Sequence, residues 1–478
     1  MSFTQFNISD PIKQAIDIMG FTEPTEIQTK TIPVLNSWQG DFVGQAQTGT
    51  GKTAAFLIPL LEQIDFEATH IQALILAPTR ELARQIHREV EKLAAYLPLN
   101  STTIYGGVPY DKQLSALSKG RPQIVVGTPG RIIDLLKQKK IELSNCQQLI
   151  IDEADEMLNM GFIEDVQLII DSLQSTKRMW MFSATMPEPI IKLIENKFSK
   201  PKVVTGSERM MGGSKIKQYY CVLRKRHFPD ALQRFIDVTP DFYGMIFCET
   251  RLETKELSER LLLQGISVVA LHGELNQTQR DAAMKRFSQK RSSILICTDV
   301  AARGIDVSNL THVINMGLPR QSESYIHRIG RTGRAGLDGQ AISFMTPGEI
   351  GRKKHIESLT NHKMTAFALP HPTEIKKAKI KNELKKMDGL KVAIVDRDHA
   401  FNIDDSFEHF AHYMQDLSKE QMMKLLFSYH FNTQIRRIDE SNIEVVKNSS
   451  NKKSSGNRNG RRRSRGSFSS GRQQRRHS

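Results

Sequence analysis

The chain has 478 residues, with 67 Lys and Arg against 52 Asp and Glu, a net charge of +15 at neutral pH. Hydrophobic residues make up 39% and charged residues 25%, which excludes a wholly disordered chain and allows about three domains. No apolar run reaches the roughly 18–20 residues that span a bilayer, and MSFTQFNISD lacks a basic-then-apolar signal segment, so a cytoplasmic protein with no membrane span is expected.

Taken from the N-terminus, the apolar pair Phe42 and Val43 leads into AQTGTGKT at residues 46–53 and then into the helical pattern AAFLIPLLEQI. Beyond it, short aliphatic and β-branched runs alternate with helical patterns, the mark of parallel sheets built from strand–helix–strand units. A first set of strands is predicted at residues 73–78, 102–107, 123–128, 149–152 and 179–183. Residues 206–214 (GSERMMGGS) carry neither period and read as a hinge. A second set is predicted at residues 244–248, 268–272, 294–298, 312–315 and 341–345. The expected organisation is an α/β domain at residues 1–205, the hinge at 206–214 and a second α/β domain at 215–350. A small, mainly helical region is expected at 351–446, with an apolar-periodic stretch near 410–431.

Of the net +15, eleven positive charges fall at residues 447–478, where no Asp or Glu stands, so the first 446 residues carry the remaining +4. This tail is rich in Ser, Gly, Arg and Asn and has one aromatic, Phe468. It cannot bury enough apolar surface to offset its chain entropy. A disordered basic arm that binds RNA phosphates is expected, with a solubilising tail as the plainer alternative. The four cysteines, Cys146, Cys221, Cys248 and Cys297, are far apart and form no CxxC pair, which argues for reduced thiols rather than a zinc site or disulfide framework.

Residues 46–53 nearly match a phosphate-binding loop, with Ala46 where the general motif has its first glycine. Gly49 and Gly51 let the backbone bend so that successive N–H groups face an anion, and the following helix adds its own unpaired donors. Gln47, Thr48 and Thr50 complete the loop. Lys52 is placed to reach the β- and γ-phosphates, and Thr53 to hold Mg2+. A metal-holding acid should then lie at the carboxyl end of a neighbouring strand, where open α/β sheets bind ligands. LIIDEAD at residues 149–155 supplies it: Asp152 would hold Mg2+, directly or through water, and Glu153 would orient and deprotonate the attacking water. Taken alone, the same acids would read as a solvated cluster capping the next helix.

The tetrapeptide Asp152-Glu153-Ala154-Asp155, with the phosphate loop, resembles the DEAD-box RNA helicases, and further elements of that family follow in order over roughly residues 3–345. Residues 20–28, from Gly20-Phe21 to Ile27-Gln28, resemble the Q motif, with Phe3 as the upstream aromatic. Pro78-Thr79-Arg80-Glu81-Leu82, Gly106-Gly107 and Thr128-Pro129-Gly130-Arg131 resemble the RNA-contact motifs of the first domain, and Ser183-Ala184-Thr185 the coupling motif. Thr250-Arg251, residues 277–280, 298–306 and 327–334 match the second domain's motifs. Ala46 is usual in this family.

The resemblance implies two tandem RecA-like parallel-sheet domains that use ATP and Mg2+. It implies that Phe21 stacks on adenine, that Asp306 contacts the ribose, and that Arg331 and Arg334 are arginine fingers for the γ-phosphate. The Gln28 amide can accept from the adenine N6 amino group and donate to N7, which guanine would not match. RNA is expected on Pro78, Thr79, Arg80, Gly107, Thr128 and Arg131 in the first domain. In the second it is expected on Thr250, Arg251, Gln277, Arg280, Thr298 and Gly304. These groups suit phosphate and sugar rather than base edges. Asp155, Ser183, Thr185 and His327 are expected to link the domains, and Arg328 reads as a structural ion pair.

The expected activity is that of an RNA-stimulated ATPase that unwinds RNA duplexes locally and remodels RNA–protein complexes, acting on single-stranded and short duplex RNA. The alternative is an ATP-gated RNA clamp in which strand separation is incidental; a DNA translocase is disfavoured by Gln28 and the Gln277/Arg280 pair. The C-terminal arrangement is similar to bacterial members with a dimerisation element and an RNA-binding extension. That similarity implies a homodimer through residues 351–446, with RNA-decay or ribosome-assembly proteins as the expected class of partner.

Overall fold

A computed structural model of the chain describes residues 2–47, 49–173, 178–206, 216–305, 307, 310–333, 338–360, 362–395 and 411–439. The first sheet is built from β1 (Phe42–Gln45), β2 (Ala73–Leu76), β3 (Ser101–Ile104), β4 (Ile124–Gly127), β5 (Gln148–Asp152), β6 (Arg178–Ser183) and β7 (Lys202–Thr205). Its order is β3-β4-β2-β5-β6-β1-β7, and its pairings are parallel.

The second sheet holds β8 (Ile216–Val222), β9 (Gly244–Cys248), β10 (Val268–Leu271), β11 (Ile294–Thr298), β12 (His312–Met316), β13 (Gly339–Met345) and β14 (Thr365–Ala366). Its order is β10-β11-β9-β12-β13-β8-β14, also parallel. Laying β1–β7 on β8–β14 makes the two orders the same, so the expected pair of α/β domains is a repeated fold.

Parallel sheets covered on both faces need apolar residues on both, and the strands show it. In β2, Ala73 and Ile75 enter one core with Ile16, Phe56 and Val90, whereas Leu74 and Leu76 enter the other with Ile132, Met157 and Val166. In β9, Ile246 and Cys248 face Phe228 and Leu261, while Met245 and Phe247 face Phe287 and Ala302. This alternation sends each buried side chain into one of two layers.

The second packed unit continues past residue 350. The helix Ile350–Thr360 buries Ile356, and Met364 joins Ile216, Tyr325 and Met345 in one cluster before β14 pairs with β8. The helix Pro372–Val395 then buries Ile375 and pairs Lys379 with Asp237 at 3.1 Å, on the helix Phe228–Val238. The helix Lys419–Asp439 packs on that 372–395 helix and leaves Tyr413, just before it, and its own Met423, Leu426 and Tyr429 exposed.

Apart from Gly206, the expected hinge lies outside the described residues, as does the expected basic tail. All four cysteines are buried and in no disulfide; burial pushes the Cys146 and Cys248 thiols up to about 12 and Cys221 up to about 11, which leaves these three unreactive at neutral pH. Among the described residues no helix is long and apolar enough to cross a membrane.

Candidate nucleotide and RNA site

Strand register assembles the phosphate site. β1 pairs with β6 so that Gln45 stands opposite Ser183, and β5 pairs with β6 so that Asp152 stands opposite Phe182. The loop after β1 therefore lies beside the carboxyl ends of β5 and β6. Ala46 N–H donates to the Ser183 carbonyl at 3.0 Å and the Thr50 hydroxyl to the Gln47 carbonyl at 2.7 Å, which folds the loop back on itself. Gly51, left-handed at φ 90°, caps the helix Lys52–Leu61, and its Cα faces the Gln28 amide so closely that a Cβ would collide.

Lys52 opens that helix and is buried at 6% exposure. Its Nζ has no hydrogen-bond partner among the described residues. A buried ammonium without an acceptor is costly, and an anion at the helix N-terminus would satisfy it. Asp152 lies beside it, its carboxyl pushed up to about 7 chiefly by burial and by Glu153, against the pull of Lys52. Glu153 is raised as well, by burial, with Lys52, Arg331 and His327 opposing. Glu153 also holds φ 53°, a left-handed backbone that costs a bulky residue about 1–3 kcal/mol.

Asp155 is held differently. Burial would raise it, but His327, Lys52 and two hydrogen bonds from Thr185 keep it below the usual carboxylate range. Its Oδ2 accepts from Thr185 N–H and Oγ1, both at 2.9 Å, and its N–H donates to Ser183 Oγ at 3.2 Å. These three residues of the first domain form one cluster. The His327 ring instead bonds Glu156, with Nδ1 2.7 Å from Oε1.

The second domain completes the pocket. A cavity of about 200 Å³ is lined by Phe21, Gln28, Lys52, Asp152 and Glu153 from the first domain and by Gly304, Ile305 and Arg331 from the second. Arg331 is aimed by its own bond, Nη1 donating to the Ile305 carbonyl at 2.6 Å. Phe21, 37% exposed, stacks on Phe3 at the rim. Gln28 is already engaged: Oε1 accepts from Thr25 N–H at 2.9 Å and Nε2 donates to the Gly51 carbonyl at 3.1 Å, so its amide braces the loop. Arg328 makes the expected structural pair, a fork on Asp299 at 2.5 and 2.7 Å. Thr48, Asp306 and Arg334 lie outside the described residues.

The residues expected to meet RNA gather on the same carboxyl edges. Thr79 and Thr128 stand at the N-termini of the helices after β2 and β4, which are neighbours, and Thr250 and Thr298 hold the same places after β9 and β11. The repeated fold thus presents the same pair of helix N-termini twice. Arg80 lies against Gly107, which is left-handed at φ 82°, and Arg131 stacks on Tyr110 at 4.1 Å. Arg251 faces Glu274 at 3.7 Å.

Several of these residues sit on the seam between domains. Arg280 Nε donates to Glu81 Oε1 at 3.0 Å, and Gln277 Nε2 to Asp281 Oδ1 at 3.1 Å; Asp281 in turn pairs with Arg84 at 3.0 Å. Arg84 and Asp281 belong to no sequence motif, and Glu81 only to the 78–82 motif with no partner indicated, since a charge on a helix face gives no sign of a partner some 200 residues away. Pro78 is buried and turns the chain into Thr79. Gly304, at φ 68°, packs against Thr79 and Leu82, where a Cβ would overlap Thr79 Oγ1 and come within 2.8 Å of Leu82 N. Replacing Gly304 with alanine should therefore hold the domains apart and lower RNA-stimulated ATP turnover by about tenfold or more. Wild-type turnover in that variant would mean the approach at Gly304 is not required.

A phosphate pocket of this construction, lined from two domains, fits a two-domain nucleoside triphosphatase. The DEAD/DEAH box helicase family matches residues 25–193, and the helicase conserved C-terminal domain family matches residues 228–336. DEAD-box ATP-dependent RNA helicase CshA of Geobacillus kaustophilus is 43% identical over 369 residues, 77% of this chain and 79% of that protein. CshA of Bacillus subtilis is 44% identical over 370 residues, 77% of this chain and 74% of that protein. Among solved structures, S. cerevisiae Dbp5 bound to RNA and ADP BeF3 is 30% identical, with a TM-score of 0.72 over 79% of this chain and 99% of that one. Mss116 bound to ssRNA and UDP-BeF is 30% identical, with a TM-score of 0.70 over 79% of this chain and 82% of that one. The chain belongs to the DEAD-box ATP-dependent RNA helicases. It is an RNA-stimulated ATPase that unwinds RNA.

Proposed function

We propose that ATP and single-stranded RNA together draw the two domains shut, and that the closed clamp bends the bound strand out of A-form so that a few base pairs are lost. Hydrolysis and phosphate release reopen it. The observation that carries this reading is the cavity lined from both domains, with Lys52, Asp152 and Glu153 on one side and Arg331 on the other. Its walls supply unmet positive charge in Lys52 and two carboxyls strained by burial. That combination fits a triphosphate with a divalent cation.

In this reading Phe21 stacks on adenine, and Gln28 reads it while bracing the loop. Asp306 holds the ribose, and Ala46, Gln47, Thr48, Gly49, Thr50 and Gly51 wrap the phosphates with backbone N–H groups. Thr53 and Asp152 would hold Mg2+, which dehydrates reluctantly and keeps several waters, so two protein oxygens suffice. Bound there, the ion would supply positive charge that offsets the charge of the phosphates. Glu153 takes the proton of the attacking water, and Arg331 and Arg334 steady the charge that spreads over the γ-phosphoryl oxygens. The paired helix N-termini at Thr79, Thr128, Thr250 and Thr298, with Arg80, Gly107, Arg131 and Arg251, bind RNA phosphates without reading sequence. Gln277, Arg280 and Gly304 act at the seam where the RNA-bound halves meet. The exposed Tyr413, Met423, Leu426 and Tyr429 support a homodimer through the C-terminal helices of a cytoplasmic protein.

A fragment of residues 1–205 tests the division of labour. It should show no RNA-stimulated ATP turnover, because it lacks Arg331 and half the RNA surface. Full stimulated turnover in that fragment would refute the two-domain pocket.

A further inference from the structure

Glu156 stands one residue past the acidic tetrapeptide and belongs to none of the motifs described above. Yet the second domain lands on it. Its side chain is 7% exposed, on the short helix Ala154–Asn159 of the first domain. Oε1 holds His327 Nδ1 at 2.7 Å, and Oε2 meets the Arg303 guanidinium in an ion pair that lacks an aligned N–H···O bond. His327 lies on the helix Ser322–Ile329, and Arg303 follows the helix Asp299–Ala302. One carboxylate thus holds two cationic side chains from separate elements of the other domain. Burial disfavours a charged His327 ring, but Glu156, Asp155 and Glu153 outweigh it and keep the ring protonated more readily than usual.

Both arms of this contact lead to Arg331. Along one, the helix that carries His327 ends at Gly330, next to Arg331, whose N–H donates to the Arg328 carbonyl at 3.1 Å. Along the other, Arg303 precedes Gly304 and Ile305, and the Ile305 carbonyl is the acceptor that aims Arg331 Nη1. Glu156 lines a cavity of about 30 Å³ together with Arg303, His327, Glu153 and Arg331, the last two of which also line the nucleotide cavity. Glu156 itself does not line the nucleotide cavity.

We infer that Glu156 is a positioning residue: by anchoring His327 and Arg303 in the closed state, it sets Arg331 against the phosphate pocket. Closing the domains strips water from all three charges, and only the aligned arrangement repays that loss. Closure that misses Glu156 leaves its carboxylate buried and uncompensated, so misaligned closed states are disfavoured. The inference rests on the reading of Arg331 as the cation that crosses to the γ-phosphate.

The test uses the full chain carrying Glu156→Gln, Glu156→Asp, Arg331→Ala, and Glu156→Gln combined with Arg331→Ala. RNA-stimulated kcat and KM for ATP are measured, together with the melting temperature. Glu156→Gln should lower kcat about tenfold or more and leave KM for ATP within about twofold, because the ATP loop lies in the first domain. Glu156→Asp, which keeps the charge, should recover part of the loss. Adding Glu156→Gln to Arg331→Ala should cost less than twofold further, because both act through one group. Unchanged kcat in Glu156→Gln would overturn the inference. So would equal losses in Glu156→Gln and Glu156→Asp that multiply with the loss from Arg331→Ala, the pattern of general weakening. If Arg331→Ala alone retains wild-type kcat, the cross-domain reading fails first, whatever Glu156 does.

Discussion

Replacing Arg331 with alanine should lower RNA-stimulated ATP turnover by about a thousandfold while changing ATP binding little. Arg331 reaches the phosphate pocket from the second domain, and its guanidinium is held by the Ile305 carbonyl at 2.6 Å, so it is oriented before substrate arrives. A pre-aimed cation costs no reorganisation when charge develops on the γ-phosphoryl oxygens. The binding energy of ATP comes mainly from the loop and from Lys52, which the substitution leaves alone. Single-turnover hydrolysis and equilibrium binding of a non-hydrolysable ATP analogue separate the two effects. An equal loss in both would assign Arg331 to binding rather than to the reaction.

Glu153→Gln is the second large effect. The amide keeps the shape and hydrogen-bonding reach of Glu153 but cannot take a proton. Turnover should fall by about a hundredfold to ten-thousandfold. ATP and RNA should still bind and close the clamp, so the variant should accumulate as a long-lived ternary complex. The backbone argues for the same role. A non-glycine residue at φ 53° is kept there at a cost, and the strained turn aims this side chain into the pocket beside Lys52 and Arg331. Normal turnover in Glu153→Gln would remove it from proton transfer.

Much of this was legible in the sequence because the phosphate loop, the acidic tetrapeptide and the helix-capping threonines sit at the carboxyl ends of strands, where apolar run, turn and helix start follow one another. The ten predicted strands of the two sets correspond to β2–β6 and β9–β13. The strands toward one edge of each sheet, ending in β7 and β14, were harder. β7 is KVVT with Val203 exposed, β14 has two residues, and β8 follows directly on the glycine-rich segment taken as a hinge. Short or half-exposed strands lack the apolar run that marks a central one. The expected division at residue 350 also falls inside a packed unit, since β14 closes the second sheet from beyond it.

Within the site, Lys52, Asp152 and Glu153 could be placed by local pattern. The bond between Glu156 and His327 spans 171 positions and that between Arg280 and Glu81 spans 199, and nothing in either neighbourhood announces the other. Gln28 shows the converse case. Its part in a capping box with Thr25 is a local pattern, yet its donation to Gly51 depends on how two segments pack.

The central claim is that ATP and RNA each bind surfaces of both domains, so that each must strengthen the other by the same factor. The direct measurement is the dissociation constant of a non-hydrolysable ATP analogue with and without saturating single-stranded RNA. It is paired with that of the RNA with and without saturating analogue, all in the full chain at fixed salt. The two ratios should agree and should exceed about fivefold. An ATP-analogue affinity that RNA leaves unchanged would contradict a pocket completed by domain closure.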